Sequence, residues 1–379
     1  MAKVNVLVGT RKGVFSLTSD QARDKWAIAG PFVGGLDVNH AVMDPRTGAI
    51  FATANDPWFG PTIRFSRDMG ETWTDAKASP RFAGDPKPAP GDSTPWFFQE
   101  SVIMERCWHI QPGRASEPNV MYCGVGPAAL FRSDDNGDTW VENMALSAHP
   151  TRERCNPGAG GLILHSVVLD PKDKSRMWTA ISAGGVFRTE DAGASWQAVN
   201  DNLRDPGAAF DPNLPLYPEA GQCVHQIAHA AGDNDRLYLQ SHAGTYRSDD
   251  GGSHWTEITA GLPSDFGMSM AAHPHNPDTA YVVPLQGGEL RCPPEFKLRV
   301  FRTSDAGATW EPMTAGLPQE QAFMGVYRDS LCTDTLPSAG LYMGTNTGQL
   351  WVSANDGDSW KLVTQNLPPI CSVEAAVLD

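Results

Sequence analysis

Ser133-Asp134-Asp135-Asn136-Gly137-Asp138-Thr139-Trp140 has the form Ser/Thr-x-Asp-x-Gly-x-Thr/Ser-Trp, and it recurs along the chain. Close copies end at Trp73 (Ser66, Asp68, Gly70, Thr72) and Trp196 (Thr189, Asp191, Gly193, Ser195). Others end at Trp255 (Ser248, Asp250, Gly252) and Trp310 (Thr303, Asp305, Gly307, Thr309). A worn copy ends at Trp360 with Asn355 in place of Asp, and a remnant spans Ser16 to Trp26. Asp side chains bond their own backbone in turns, and Gly supplies positive φ. The Thr/Ser-Trp pair opens a strand, with Trp as a large apolar staple. Repetition at roughly 50–65 residues predicts a modular β array.

These octets resemble the Asp-box, or BNR, repeat of sialidase-like, sortilin-like and xyloglucanase-like β-propellers. The resemblance implies a propeller whose boxes lie on hairpin turns away from the active site and are structural. It leaves the function open, because such propellers include enzymes, receptors and assembly factors. Sialidases carry an Arg-Ile-Pro segment; here Ile63-Arg64-Phe65 lacks the proline. No Tyr–Glu nucleophile pair can be placed, so sialidase activity itself is not expected.

The units between boxes share one order of strands and turns. The first complete unit has strands at 38–43, 49–54 and 62–66, then the box and Trp73-Thr74. The turn Asp44-Pro45-Arg46-Thr47-Gly48 separates its first two strands. Later units begin near Cys107, Leu164, Val224, Met268 and Phe323, giving six four-strand blades. Residues 4–8, 13–17 and 25–29 supply three strands without a first, and 372–377 supply a first without followers. Joined, they complete a seventh blade. The predicted fold is all-β: a single seven-bladed propeller over 1–379, closed when the C-terminal strand joins the N-terminal blade.

Composition narrows the partners. A net charge of −15 over 379 residues argues against nucleic acid, which needs a basic stripe. No apolar run of 18 residues occurs, so no membrane span is expected. The first residues read directly as a strand rather than as a signal peptide. The seven cysteines are odd in number and have no CxxC spacing. The expectation is therefore free thiols and a cytoplasmic location.

Loop lengths point to one face. The blade-to-blade links 76–106, 142–163 and 200–223, and the turn 284–299, are long and share a face. First-to-second turns are short except 329–339. Binding and catalysis concentrate on long loops of a rigid scaffold. Aligning first strands on their closing turns sets His165 level with His225 at the channel mouth, with Asn39 and His40 nearly level. His242 lies in a turn on that face; Trp96, Glu100 and Glu105 follow one another through the first long link, and Trp108 comes just after the strand entrance that ends it.

Imidazoles beside carboxylates suit acid–base work, so His165, His225, Glu105 and Glu100 are the expected catalytic residues. A divalent metal is the other use of such a set, with His165, His225 and His242 as ligands. The competing view is that inner-strand histidines only satisfy hydrogen bonds between blades. Arg11, Lys12, Arg152 and Arg154 are candidate clamps for a carboxylate or phosphate. Trp58, Trp96 and Trp108 are candidate platforms for a ring. The expected activity is a glycosidase-like hydrolase or a lyase acting on a small polar substrate, a sugar or sugar acid. The alternative is a non-catalytic binding or assembly propeller. A deep pocket with converging His, Glu and Arg would favour the enzyme, and a shallow apolar patch the scaffold.

Overall fold

The boxes close into one kind of hydrogen-bonded knot, which in the Trp255 box keeps the backbone bond from His254 to Asp250 but not the hydroxyl one. In a computed structural model of the chain, residues 2–83, 103–155, 157, 161–232 and 235–378 are described. Ser133 Oγ donates to Asp135 Oδ1 (2.8 Å) and accepts the Gly137 N–H (2.9 Å). The Asp135 carboxylate accepts the Thr139 N–H (2.8 Å) and hydroxyl (2.6 Å). Asn136 and Gly137 both take positive φ, 59° and 82°. Two consecutive left-handed residues reverse the chain, and the second sits where a Cβ would approach Phe51 to 3.0 Å. In the worn box, Asn355 keeps the knot with its amide, accepting the Ser359 N–H at 3.1 Å and donating to Ser359 Oγ at 3.1 Å.

The tryptophans do more than staple their own turn. Trp140 Nε1 donates to Gly137 O within its box, but Trp255 donates to Val199 O and Trp310 to Ile258 O, each in the preceding blade. These two boxes therefore bolt their blades to the preceding ones from the face opposite the long loops. The Thr72 hydroxyl holds Asp68 down at about 2, and the Ser195 hydroxyl does the same for Asp191. Asp135→Ala removes the acceptors of one knot. It is expected to cost about 1–2 kcal/mol, because its donors then meet only water, and to leave ligand binding unchanged. Chemical denaturation alongside a binding isotherm checks both.

The 28 strands, numbered in chain order, form seven four-stranded antiparallel sheets. The closing blade has the order β28 (Ile370–Leu378), β1 (Lys3–Thr10), β2 (Gly13–Asp20), β3 (Ala27–Phe32). β28 pairs with β1 from Lys3↔Leu378 to Gly9↔Ser372. The first strands of blades 1 to 6 are β4 (Asp37–Met43), β8 (Arg106–Pro112), β12 (Ile163–Leu169), β16 (Val224–His229), β20 (Gly267–Ala272) and β24 (Leu331–Thr333). Inner strands are buried on both faces, as in the run from Val4 to Val8 of β1, whereas fourth strands are short and exposed. Core clusters form between blades, so each blade buries its faces only with neighbours. Among the described residues, helix is limited to one α turn (Met144–Ser147) and short 3-10 turns.

One boundary differs from expectation. The apolar run from Phe323 does not begin blade 6, because 321–327 is irregular and β24 starts only at Leu331. Met324 and Val326 are buried against Phe266, Leu285 and Leu298, under the long 284–299 turn rather than in a ladder. The first-to-second turn of this blade is therefore 334–340, not the swollen 329–339. Residues 318–330 instead form another long link on the loop face, and it delivers Arg328 and Asp329 to the channel.

Candidate functional site

The first strands break register at one level. The ladder skips a residue between Cys107 and His109 in β8, between Leu164 and Ser166 in β12, and between Val224 and Gln226 in β16. The skipped residues are Trp108, His165 and His225. A bulge frees its side chain from the pleat and re-aims it, here toward the next blade. His165 Nε2 meets Val224 O at 3.0 Å and its Nδ1 meets Ser166 Oγ at 2.9 Å. His225 Nδ1 meets Gly267 O at 2.6 Å. Each imidazole thus bonds the carbonyl that opens the following blade. Both nitrogens of His165 are engaged and its ring is fully buried. His225 keeps Nε2, 3.4 Å from Cys223 Sγ.

Beside His225 lies a cavity of about 380 Å³, walled by the two loops that sequence marked as long. Asp205, Phe210 and Cys223 come from the 200–223 link, and Glu289 and Arg291 from the 284–299 turn. His242 and Phe266 complete the ring cluster, with Phe266 edge-on to both His225 and His242.

At the cavity's inner wall sits Arg328, only 8% exposed. Its Nη2 donates to Ser182 Oγ at 3.1 Å and its guanidinium lies 5.9 Å from the Trp108 ring centre. Its Nε has no hydrogen-bond partner, and among the described residues no carboxylate lies within ion-pair distance of it. Burial depresses its pKa, and the neighbouring Cys223 and Asp329 offset only part of that. Burial first, and then Arg328, hold His225 and His165 well below the usual imidazole range, so both are neutral. The cavity therefore offers a neutral imidazole, a guanidinium without a carboxylate partner among the described residues, a second arginine and two rim carboxylates, Asp205 and Glu289.

A polar chain crosses the channel behind it. Glu374 of β28 meets His40 Nε2 at 3.1 Å, and the His40 and His109 rings stack at 4.3 Å. His109 Nδ1 lies 3.7 Å from Asp329 Oδ1, which accepts from Gln226 Nε2 at 3.0 Å. Ser166 then donates to Gln226 Oε1. Burial opposes charge on His40, but Glu374 and Asp329 raise its pKa nonetheless. Burial lifts Asp329 to about 6, only partly offset by His40 and Gln226.

A carboxyl whose folded pKa exceeds its unfolded value of ~3.9 costs stability as pH rises from about 4 through 6. Relative to wild type, Asp329→Asn is expected to gain about 2–3 kcal/mol between pH 4 and pH 7, the linkage value of a shift that size. Urea melts at three pH values would show a flat difference if the carboxyl were solvated.

The other expected site residues are dispersed. Arg11 pairs with Asp37, Lys12 is exposed, and Arg154 pairs with Glu219 at 2.6 Å. Arg152 is tucked inward, donating to Ala128 O. Glu105 is exposed, with its N–H on Gly126 O, and does not reach the cavity. Trp58 is 88% exposed on a second-to-third turn, and Trp108 is held between the Arg106 and Arg328 guanidinium groups. Glu100 and Trp96 lie outside the described residues. Of the expected set, only His225 and His242 meet at the cavity. Among the described residues, two groups have ligand atoms close enough for a metal, Cys223–His225–His242 and His40–His109–Asp329. Sequence reading missed Arg328, Asp329, Arg291 and Cys223. The only signal for the first two was the odd length of the loop beginning at 329.

By fold and box geometry the protein is a seven-bladed Asp-box β-propeller with a walled cavity on its loop face. Its residues 243–375 match the Sortilin-Vps10 family (sortilin, neurotensin receptor 3). It is similar to a probable oligoxyloglucan-reducing end-specific xyloglucanase of Neosartorya fischeri, 25% identical over 390 positions that cover 90% of this chain and 41% of that protein. The oligoxyloglucan-reducing end-specific xyloglucanase of Emericella nidulans is 22% identical, with coverage of 80% and 38%. Among solved structures, an ancestral GH74 enzyme shares the fold with a TM-score of 0.58 at 15% identity, over 92% of this chain and 39% of that one. The chain thus spans about two-fifths of the length of these relatives. Together these likenesses support a propeller of the sortilin- and xyloglucanase-like kind.

Proposed function

We propose that the protein is a glycosidase-like hydrolase acting on a small acidic carbohydrate, a sugar acid or short oligouronide, bound in the cavity beside His225. The observation that carries this reading is Arg328, a buried guanidinium at the cavity wall with an unbonded Nε and no carboxylate partner among the described residues. A buried charge left unpaired is costly, and an incoming carboxylate would pair it in the planar, two-pronged way guanidinium groups favour. Arg291 would add a second contact. The xyloglucanase likeness supports a carbohydrate. Asp205 and Glu289 are the candidate pair of carboxyls, one to protonate the leaving oxygen and one to activate water or attack; a separation of ~5–5.5 Å would retain configuration and ~6.5–9.5 Å would invert it. His225, held neutral by burial and by Arg328, would accept a hydrogen bond from a substrate hydroxyl through Nε2. The seven free thiols support a reducing, intracellular setting.

The test is to incubate the protein with aryl glycosides, xylogluco-oligosaccharides and oligouronides, following products by chromatography and binding by melting shift. Turnover and stabilisation confined to acidic sugars are expected. Cleavage of neutral xylogluco-oligosaccharides alone would keep the hydrolase and discard the acidic substrate, and inertness throughout would discard both. A second reading, a non-catalytic binding propeller, is favoured by the exposed aromatics Trp58 and Phe59 on the same face, 88% and 84% exposed. It predicts binding without turnover, abolished by Trp58→Ala.

A further inference from the structure

We infer that Cys223, His225 and His242 form a binding site for one divalent transition-metal ion, zinc by ligand chemistry, whose fourth position opens into the cavity. The inference does not depend on the carbohydrate reading.

Local geometry already approximates the coordination polyhedron. The three ligand atoms lie within 4.8 Å of one another, and Cys223 Sγ is 3.4 Å from His225 Nε2. Tetrahedral zinc, with bonds of ~2.3 Å to sulfur and ~2.0–2.1 Å to nitrogen, sets those two atoms ~3.5 Å apart. Two imidazoles on one such ion have ring centres ~5 Å apart, and those of His225 and His242 are 5.5 Å apart.

The backbone explains why these three meet. Cys223 and His225 flank Val224 at the entrance to β16, and the bulge that skips His225 turns its ring back toward Cys223, Sγ to Nε2 being 3.4 Å. His242 sits in the turn directly across, and its own N–H donates to Cys223 O at 2.8 Å. Ser241 Oγ donates to the same carbonyl at 3.3 Å. The two ligand-bearing segments are thereby locked before any ion arrives.

The tautomer is set as well. His225 Nδ1 lies 2.6 Å from Gly267 O, which can only accept, so Nδ1 carries the proton and the Nε2 lone pair points toward Cys223. A histidine ligand oriented by a carbonyl on its other nitrogen is the usual outer-shell arrangement. Phe266 wedges both imidazoles, with ring centres at 5.3 Å and 4.9 Å, which restrains their rotation. Neither ring nitrogen of His242 has a hydrogen-bond partner among the described residues. His165 is not a ligand, since Val224 O and Ser166 engage both its nitrogens.

Charge selects the ion. One thiolate and two imidazoles form a soft and borderline set with no carboxylate, which suits zinc rather than magnesium or calcium. Arg328 and Arg291 line the same cavity and Asp205 faces it from the link. Burial pushes the Cys223 thiol up and the Arg328 guanidinium offsets only part of that, so the thiol loses its proton as the ion arrives. The thiolate cancels one of the ion's charges, and an anionic fourth ligand, hydroxide or a substrate carboxylate, would cancel the other beside the two arginines. When bound, such an ion acidifies water or polarises a substrate oxygen.

The experiment uses the full chain, stripped with chelator and reloaded with zinc or cobalt. One ion per chain by elemental analysis is expected, and the cobalt form should show a near-ultraviolet thiolate-to-metal band. Cys223→Ser, nearly isosteric, should lose the band and weaken zinc binding ~10²-fold or more, and His242→Ala should lose stoichiometric metal. Circular-dichroism melts confirm that both variants fold. Cys292→Ser, outside the cluster, should keep band and stoichiometry. Substoichiometric metal in the wild type, cobalt bound without a thiolate band, or zinc retained by Cys223→Ser (as ligation by His40, His109 and Asp329 would give) overturns the proposal. Each readout is independent of any sugar.

Discussion

Deleting residues 370–379 is expected to unfold the entire ring rather than trim one blade. β28 is the innermost strand of the closing blade, paired along the length of β1 and packed on blades 1 and 6. Ile370, Ser372 and Val373 are buried, and burying one Val or Ile is worth ~1.5–3 kcal/mol. Truncation removes those contacts, strips β1 of its ladder partner, and leaves His40 without Glu374. In a ring, losing one strand also opens edges that closure had hidden. These losses together reach the ~5–15 kcal/mol that holds a typical domain folded. The expected result is loss of the cooperative melt and of strand signal across the chain. A truncated protein with a wild-type melting curve would show that the ring does not need its closing strand.

Arg328→Met is expected to split function from stability. The substitution removes the guanidinium that faces the cavity while keeping a flexible apolar side chain against Trp108. Charged hydrogen bonds are worth ~1.5–3 kcal/mol, so the melting shift caused by sugar acids should vanish and kcat/KM should fall by ~10²-fold. The ligand-free protein should melt at or above the wild-type temperature, because a buried cation without a counter-ion is removed. Arg328→Lys, a point charge without the planar fork, should recover only part of the binding. Lower stability with unchanged sugar-acid binding would make Arg328 a structural residue braced on Ser182.

The blades were legible because their determinants are local. Ser133, Asp135, Gly137 and Thr139 satisfy one another within seven residues, so their pattern encodes the turn wherever it occurs. Strand alternation did the rest, down to the leftover strand near 372 that needed a partner at the other end of the chain. The level of His165 and His225 could also be counted, because both follow the same number of residues before a closing turn.

What could not be counted was direction. His165 and His225 occupy the same bulge, yet one is sealed by Ser166 and Val224 while the other keeps a nitrogen toward the cavity. The difference lies partly in the neighbours along the chain, Ser166 after one and Cys223 before the other, and partly in Val224 O and His242, which only packing across strands brings up. Arg328 and Asp329 were hidden for a related reason. The run 323–327 is apolar enough to read as a strand, but it is buried beneath the 284–299 turn, and only that distant contact tells a ladder from a link. Local hydrogen bonding determined the propeller from sequence alone. The site is assembled from four separated segments at a blade junction, where burial and unpaired charge exist only once the ring has closed.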